Sequence, residues 1–135
     1  MNIFVCSHGN FAEELVNSAE MIVGKMSDVS SFCLQPHMSM EEFSAQIEEK
    51  ILIHKKDDNN SEFLAFVDLF GGTPCIATST LTKKYNMLVV TGVNLPMLLE
   101  IETLKNSCTV DELLEVVKTT YNNSLHIIRE GIRNE

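Results

Sequence analysis

The sequence contains few basic residues, no long hydrophobic run and no clustered cysteines. Ten lysines and arginines stand against nineteen aspartates and glutamates, which gives a net charge of −9. This balance argues against nucleic-acid binding, because nucleic acid needs a basic surface. No apolar run approaches the roughly 20 residues of a membrane span. The first residues also lack the basic region, apolar core and cleavage site of a signal peptide, so we expect a cytoplasmic protein.

The cysteines form no recognisable site. They are widely separated, without a C-x-x-C pair, and no histidines cluster with them. The pattern therefore gives neither a zinc signature nor a disulfide framework. We expect reduced and largely buried thiols, with neither a metal nor another cofactor. The thiols concerned are those of Cys6, Cys33, Cys75 and Cys108.

The rest of the sequence alternates strand-like and helix-like segments. Its 135 residues fit one domain, residues 1–135. Apolar strand patterns occur at residues 3–6, 29–34, 63–67 and 87–91. Four strand–helix units predict an α/β fold: an open, mainly parallel four-stranded sheet with helices on both faces. The expected strand order is 2-1-3-4, in which the first strand lies beside the third.

Polar residues predict where the helices begin. Asn10 is the predicted cap of the first helix. The apolar stripe expected to bury that helix consists of Phe11, Leu15, Ala19, Ile22 and Val23. Later helices are predicted to begin after the capping residues Ser39, Asn94 and Thr109.

The chain is organised around residues 63–74. Five apolar residues at 63–67 suit a strand covered on both faces, and Asp68 ends the run at a rim that water or a partner can reach. Gly71 and Gly72 permit a positive φ or a close approach to a ligand. Thr73 is predicted to cap a helix whose first residue is Pro74. Free N–H groups at that helix start would favour an anion.

His8 is the predicted reactive residue, because it follows the first strand as Asp68 follows the third. In an open parallel sheet, ligands bind beyond the carboxyl ends of the strands where the winding reverses, so we expect the two side chains to meet. An aspartate bonded to one imidazole nitrogen fixes the tautomer and leaves the lone pair of the other nitrogen facing outwards. Beside an anion-favouring turn, this arrangement predicts a phosphohistidine site.

Two other interpretations of His8 stay open from the residues alone. A histidine at this place could simply close a turn. It could also act with Asp68 in a small hydrolase or metal enzyme, although no second histidine or acid lies at a predicted strand end to complete a metal site.

Four further residues are candidates for lining the site or docking a partner. Ser7 and Asn10 flank His8 in the sequence. Phe70 is predicted to be exposed at the rim, where an apolar ring suits protein docking. Asn94 either shapes a strand-to-helix turn or lines the crevice.

Three segments carry a family resemblance. They are residues 5–15 with 18–24 (VCSHGNFAEEL, SAEMIVG), residues 67–74 (VDLFGGTP) and residues 91–100 (TGVNLPMLLE). In this order they resemble the IIA component of the mannose/fructose/sorbose class of the bacterial phosphoenolpyruvate-dependent sugar phosphotransferase system (PTS).

The resemblance implies a phosphotransferase that works through a phosphohistidine. His8 would accept a phosphoryl group at Nε2 from the histidine-containing phosphocarrier protein and pass it to the IIB component. IIB would then phosphorylate the sugar that enters through a membrane IIC/IID pair. Asp68 matches the family's hydrogen-bonding acid, and Thr73 its hydroxyl residue near the phosphoryl oxygens. An alternative on the same fold is a regulatory module whose binding depends on phosphorylation and which does not feed transport.

The resemblance also implies a homodimer. Family dimers exchange a C-terminal strand that pairs antiparallel at the sheet edge, and residues 124–130 are the matching segment here. The 135 residues contain no IIB domain, so we expect either a free-standing IIA or one domain of a fusion.

Overall fold

A computed structural model describes residues 1–129 of the chain. The chain divides into two compact units, the first at residues 1–93 and the second from residue 94 onwards. In the first unit, strands alternate with helices in the order β1 (Asn2–His8), α1 (Phe11–Val23), β2 (Val29–Leu34), α2 (Met40–Asp57), β3 (Phe63–Val67), α3 (Gly72–Leu81) and β4 (Met87–Thr91).

The four strands form one parallel sheet of order β2-β1-β3-β4. The predicted α/β class, sheet and strand order are therefore confirmed. All five residues of β3 are buried, as the continuous apolar run predicted, because a central parallel strand is covered on both faces.

Strand β1 is longer than predicted. The sequence predicted residues 3–6 and a break at Ser7, but β1 continues to His8 because β2 still pairs with it there. Ser7 lies opposite Cys33, and His8 lies opposite Leu34. The sequence did not predict this extension, because strands are predicted from an apolar pattern and Ser7 and His8 are polar.

Helices α2 and α3 cover one face of the sheet. Alternate residues of β1 point to this face, where they join residues from both helices and from the other strands. The buried members of this core are Phe4, Cys6, Phe32, Phe43, Ile47, Ile51, Phe63, Ala65, Val67, Cys75, Ala77, Leu81 and Met87.

Helix α1 covers the opposite face, to which Ser7 points. Its fully buried residues are Ala12 and Ala19, whereas the side chains of Phe11 and Ile22 are 48% and 61% exposed. The predicted buried stripe of this helix is therefore wrong for Phe11, Ile22 and Val23, whereas Ala19 is buried and Leu15 is partly buried. Two alanines seven positions apart give the helix a smooth side that can lie close to the sheet, and this orientation turns the larger apolar side chains outwards.

Helix α3 begins earlier than predicted. It spans Gly72–Leu81 and follows Gly71, so Thr73 is not its cap and Pro74 is not its first residue. Gly71 and Gly72 have φ values of 87° and 79°, as their predicted freedom allowed. This left-handed turn leads the chain into the helix without a capping side chain.

The second unit contains α4 (Leu95–Leu104) and α5 (Val110–Asn123). The predicted caps of both helices are confirmed: Asn94 accepts a hydrogen bond from the N–H of Met97, and Thr109 forms a reciprocal capping box with Glu112. Within residues 1–129, no helix is long and apolar enough to cross a membrane.

The predicted C-terminal strand covers residues 124–130. Residues 125–128 are neither helix nor strand, residue 129 is a single bridge residue, and residue 130 lies outside the described residues. Exchange of this segment in a dimer remains a prediction.

Candidate functional site

His8 and Asp68 lie at the same edge of the sheet because each follows one of two adjacent parallel strands. His8 ends β1, and Asp68 comes directly after Val67, the last residue of β3. The Asp68 N–H donates to the carbonyl of Cys6 at 3.2 Å and so extends the pairing by one residue. The backbone therefore brings the imidazole and the carboxylate together, as predicted.

The Asp68 carboxylate contacts His8 at both its ring nitrogen Nδ1 and its backbone N–H. Asp68 Oδ2 lies 2.8 Å from His8 Nδ1 and accepts a second bond from the His8 backbone N–H at 2.9 Å. Asp68 Oδ1 accepts a bond from the N–H of Leu69 at 3.0 Å. The Asp68 side chain is 12% exposed and that of His8 is 48% exposed, so a fixed acid holds a ring that faces solvent.

The contact determines which nitrogen of His8 can react. An ionised carboxylate only accepts hydrogen bonds, so Nδ1 must carry the proton that it shares with Asp68. In the neutral ring the lone pair is then on Nε2. Nε2 is therefore the nitrogen available as a nucleophile, which is the first chemical requirement of a phosphohistidine.

Gly72 borders the reactive edge of the imidazole. A Cβ at this position would lie 3.1 Å from His8 Cε1 and 3.3 Å from His8 Nε2. A side chain would therefore crowd the atom that must react. Glycine keeps the approach open and brings backbone close to Nε2.

Thr73 follows in the first turn of α3. Its side chain is partly buried, and among residues 1–129 its hydroxyl has no hydrogen-bond partner. The first N–H groups of a helix also lack partners within the helix. The turn at residues 71–73 therefore offers the polar donors that suit an anion beside Nε2.

Ser7 and Asn10 shape the loop that carries His8. Ser7 is completely buried, and its hydroxyl accepts the N–H of Ala12 at 2.7 Å and donates to the carbonyl of Gly9 at 3.1 Å. Asn10 makes no side-chain cap, contrary to prediction. Its Oδ1 instead accepts a bond from Gln35 Nε2 at 2.9 Å.

Sequence reasoning missed both of these roles. The hydroxyl that caps α1 comes from a strand residue five positions before its donor, which is outside the usual capping spacing. Gln35 belongs to another loop, and only the pairing of β1 with β2 brings it near Asn10.

The other two candidate residues have different surroundings. The Phe70 side chain is 84% exposed, as predicted, so its ring is accessible to a partner. Both polar atoms of the Asn94 side chain are engaged within the second unit, with the Met97 N–H and the Ser124 hydroxyl. The turn-shaping role of Asn94 is confirmed, whereas its lining of the crevice remains a prediction.

The thiol nearest to His8 along the chain is unsuited to compete with it as a nucleophile. Burial, together with the charge of Asp68 and a smaller effect of Cys33, raises the pKa of Cys6 far above its ordinary range. A thiol must ionise to become strongly nucleophilic. Within the described residues, no group of three or more histidine, cysteine, aspartate or glutamate side chains could hold a metal ion.

Comparison with known proteins gives a consistent result. Residues 2–118 match the family model described as the PTS system fructose IIA component. The chain is 29% identical to the fructose-specific EIIA component of Bacillus subtilis over 98% of this chain and 89% of that protein. It is 31% identical to the mannose-specific EIIAB component of Escherichia coli K12 over 97% of this chain but only 38% of that longer protein.

Solved structures show the same similarity. The crystal structure of EIIA from Streptococcus agalactiae superposes with a TM-score of 0.83 at 27% identity, over 92% of this chain and 94% of that one. The mannose/sorbose-specific IIA subunit from Enterococcus faecalis superposes with a TM-score of 0.79 at 29% identity, over 95% and 94% of the two chains.

Proposed function

The chain belongs to the family of PTS fructose IIA components, and from that premise we propose that His8 carries a phosphoryl group between two partner proteins. Membership makes the chain a component of a sugar phosphotransferase system. The finer proposal concerns the residue that carries the phosphoryl group, its route and its partners. The observation that carries it is the 2.8 Å contact between His8 Nδ1 and Asp68 Oδ2, which directs Nε2 outwards.

The proposed first step is attack of the Nε2 lone pair on phosphorus. The bond from phosphorus to the donor histidine breaks as the bond to Nε2 forms, and the donor ring recovers the electron pair. The His8 ring, with a proton on Nδ1 and a phosphoryl group on Nε2, then carries a positive charge. The Asp68 carboxylate beside Nδ1 would stabilise this charge. In the second step a lone pair of the acceptor protein forms a new bond to phosphorus as the Nε2–phosphorus bond breaks, and the electron pair of the broken bond returns to Nε2.

The turn at residues 71–73 would receive the phosphoryl oxygens. Phosphoryl transfer depends mainly on positioning and on stabilisation of charge at those oxygens. Gly72 supplies backbone close to Nε2, Gly71 precedes it in the same turn, and Thr73 supplies a hydroxyl without an internal partner among residues 1–129. These groups would only donate hydrogen bonds to the phosphoryl oxygens. They would form no bond to phosphorus, so the phosphoryl group can still leave.

The proposed donor is the histidine-containing phosphocarrier protein, and the proposed acceptor is a IIB component. The E. coli relative is an EIIAB component, which supports IIB as the receiver. The membrane IIC/IID pair would be served indirectly, from the cytoplasm. We further propose that residues 1–135 act as one domain, that the protein is a homodimer and that the exposed ring of Phe70 contacts a partner.

Intact-mass analysis tests the proposal. The protein is incubated with phosphoenolpyruvate, the general first enzyme of the system and the phosphocarrier protein. We expect one acid-labile phosphoryl group on the wild type and none on His8→Ala. His126→Ala is the matched control, because it removes an exposed histidine from the second unit. Labelling retained by His8→Ala would assign the phosphoryl group to another residue.

A second stage separates transport from regulation. Addition of a IIB component should discharge the phosphorylated protein within the time course of its loading. A phosphoryl group that stays on His8 in the presence of IIB would favour the regulatory alternative. Release of inorganic phosphate without IIB would point to a hydrolase.

A further inference from the structure

A second histidine, His37, has an unusual backbone conformation. Its φ is 69°, and Asp28, with φ 58°, is the only other non-glycine residue with a positive φ among residues 1–129. Few residues other than glycine adopt this left-handed region, and histidine is among those that tolerate it. Such conformations cluster at functional sites, where the surrounding structure maintains them.

The turn that contains His37 does not itself require histidine. The N–H of Met38 donates to the carbonyl of Gln35 at 3.1 Å, which closes a four-residue turn with Pro36 second and His37 third. Proline second and a positive φ third define a type II turn, whose third position suits glycine best. The geometry of the turn therefore does not explain why its third residue carries an imidazole.

This turn lies beside the loop that carries the reactive histidine. Leu34, the last residue of β2, is paired with His8. The N–H of Gly9 then donates to the carbonyl of Leu34 at 2.8 Å, and the side chains of Gln35 and Asn10 are joined at 2.9 Å. These hydrogen bonds join the loop after β1 to the turn after β2, and the exposed His37 lies in that turn.

The charge around this edge of the sheet is negative. The loops that follow the four strands, residues 9–10, 35–39, 68–71 and 92–93, contain no lysine or arginine. Among their side chains, His37 is the one that can gain a positive charge near neutral pH. The charged groups of the flanking loop and of the adjoining helix starts are Asp68, Glu13, Glu14, Glu41 and Glu42.

An incoming phosphoryl group carries close to two negative charges near neutral pH. A partner bearing it would meet acidic side chains at this edge, with the imidazole of His37 as the cationic counterpart. We propose that His37 is a specificity-determining docking contact, which donates a hydrogen bond to the phosphorylated face of the phosphoryl-donor protein and so favours that protein over its unphosphorylated form. This inference rests on the proposed function.

Steady-state phosphorylation kinetics test this role. His37→Asn tolerates the positive φ but cannot become charged, and His37→Gly removes the imidazole together with the backbone strain. We expect each variant to raise the KM for the phosphorylated donor roughly ten- to a hundredfold at pH 6.5, the effect of one hydrogen bond with ionic character. The kcat should be unchanged, and so should inhibition by the unphosphorylated donor.

The pH profile distinguishes a docking role from a structural one. The ratio of the variant KM to the wild-type KM should fall towards one by pH 8, because a contact that depends on a charged imidazole weakens as the pH rises through the range in which histidines generally lose their charge. His8 is present in both proteins, so its own titration cancels in the ratio. Asp28→Gly is the matched control: it relieves the other positive φ at the opposite end of β2 and should leave KM unchanged.

Two results would overturn the inference, and they are distinguishable. If the wild type is phosphorylated by the relay but the His37 variants keep its KM at every pH, the inference alone fails and His37 is a turn residue. If the wild type takes no phosphoryl group from the relay, the proposed function fails and this docking role fails with it.

Discussion

Substitution of Gly72 by alanine is the most direct test of the geometry at Nε2. The added Cβ would lie 3.1 Å from His8 Cε1 and 3.3 Å from His8 Nε2. These distances are shorter than ordinary van der Waals contact, so either the imidazole or the turn must move by a few tenths of an ångström. The imidazole is held at Nδ1 by Asp68 and cannot move without lengthening that bond.

The substitution should have two separable effects. Alanine at a φ of 79° costs about 1–2 kcal/mol of backbone strain, which corresponds to a fall in Tm of roughly 3–8 °C for a domain of this size. The methyl group also occupies the approach to Nε2. Because misplacement of reacting groups by about 1 Å can cost roughly 100-fold in rate, we expect phosphoryl transfer to fall by about that factor.

The assay combines rapid-quench measurement of transfer from the phosphorylated donor with thermal unfolding followed by circular dichroism. Gly24→Ala is the matched control, because Gly24 has a φ of 82° and a Cβ there would meet nothing within 4 Å. It should lose similar stability and keep the wild-type transfer rate. Wild-type transfer by Gly72→Ala would refute the assignment of Nε2 as the reactive atom beside this turn.

Three further substitutions test the remaining parts of the site. Asp68→Asn should keep the fold but lower transfer by at least about 100-fold, because an amide can donate to Nδ1 and favour the wrong tautomer; an unchanged rate in the rapid-quench assay would remove its orienting role. Thr73→Ala should lower the rate of phosphoryl transfer without lowering Tm, and Thr73→Ser should keep the wild-type rate. Equal rates for the two variants would show that the hydroxyl takes no part in transfer. Ser7→Ala should lower the free energy of unfolding in urea by about 1 kcal/mol through loss of the helix cap, whereas the exposed Ser18→Ala should not, and equal values would contradict the capping contact.

The sequence allowed the sheet and its reactive edge to be predicted because the responsible signals are local. A five-residue apolar run that ends at an aspartate defines β3, and two consecutive glycines mark the turn that follows. Once the strand order is known, His8 and Asp68 must meet, since the carboxyl ends of adjacent parallel strands lie at one edge. The 2.8 Å contact is a consequence of topology as much as of side-chain chemistry.

The features that could not be predicted depend on contacts distant in the sequence. The buried side of α1 was misplaced because hydrophobicity ranks Phe11 and Ile22 above alanine, whereas close packing on a sheet favours the small side chain. The helix cap from Ser7 and the bond between Asn10 and Gln35 each require β1 and β2 to be in place first. A periodic pattern contains no information about such pairs.

The extension of β1 to His8 bears directly on how the proposed carrier would work. Sheet pairing fixes the backbone of His8, and the Asp68 carboxylate then fixes its ring, so little freedom remains to be lost when a partner presents phosphorus to Nε2. Effective positioning of this kind can supply several kcal/mol of a barrier without any new chemical group. The loops at this edge contain no lysine or arginine, so a phosphoryl group on Nε2 would be held by the neutral donors of residues 71–73 and by the charge balance between His8 and Asp68, whereas His37 would act only while the donor protein is docked. A site built this way suits a carrier, because strong cationic binding would stabilise the loaded state and slow the release that the second transfer needs.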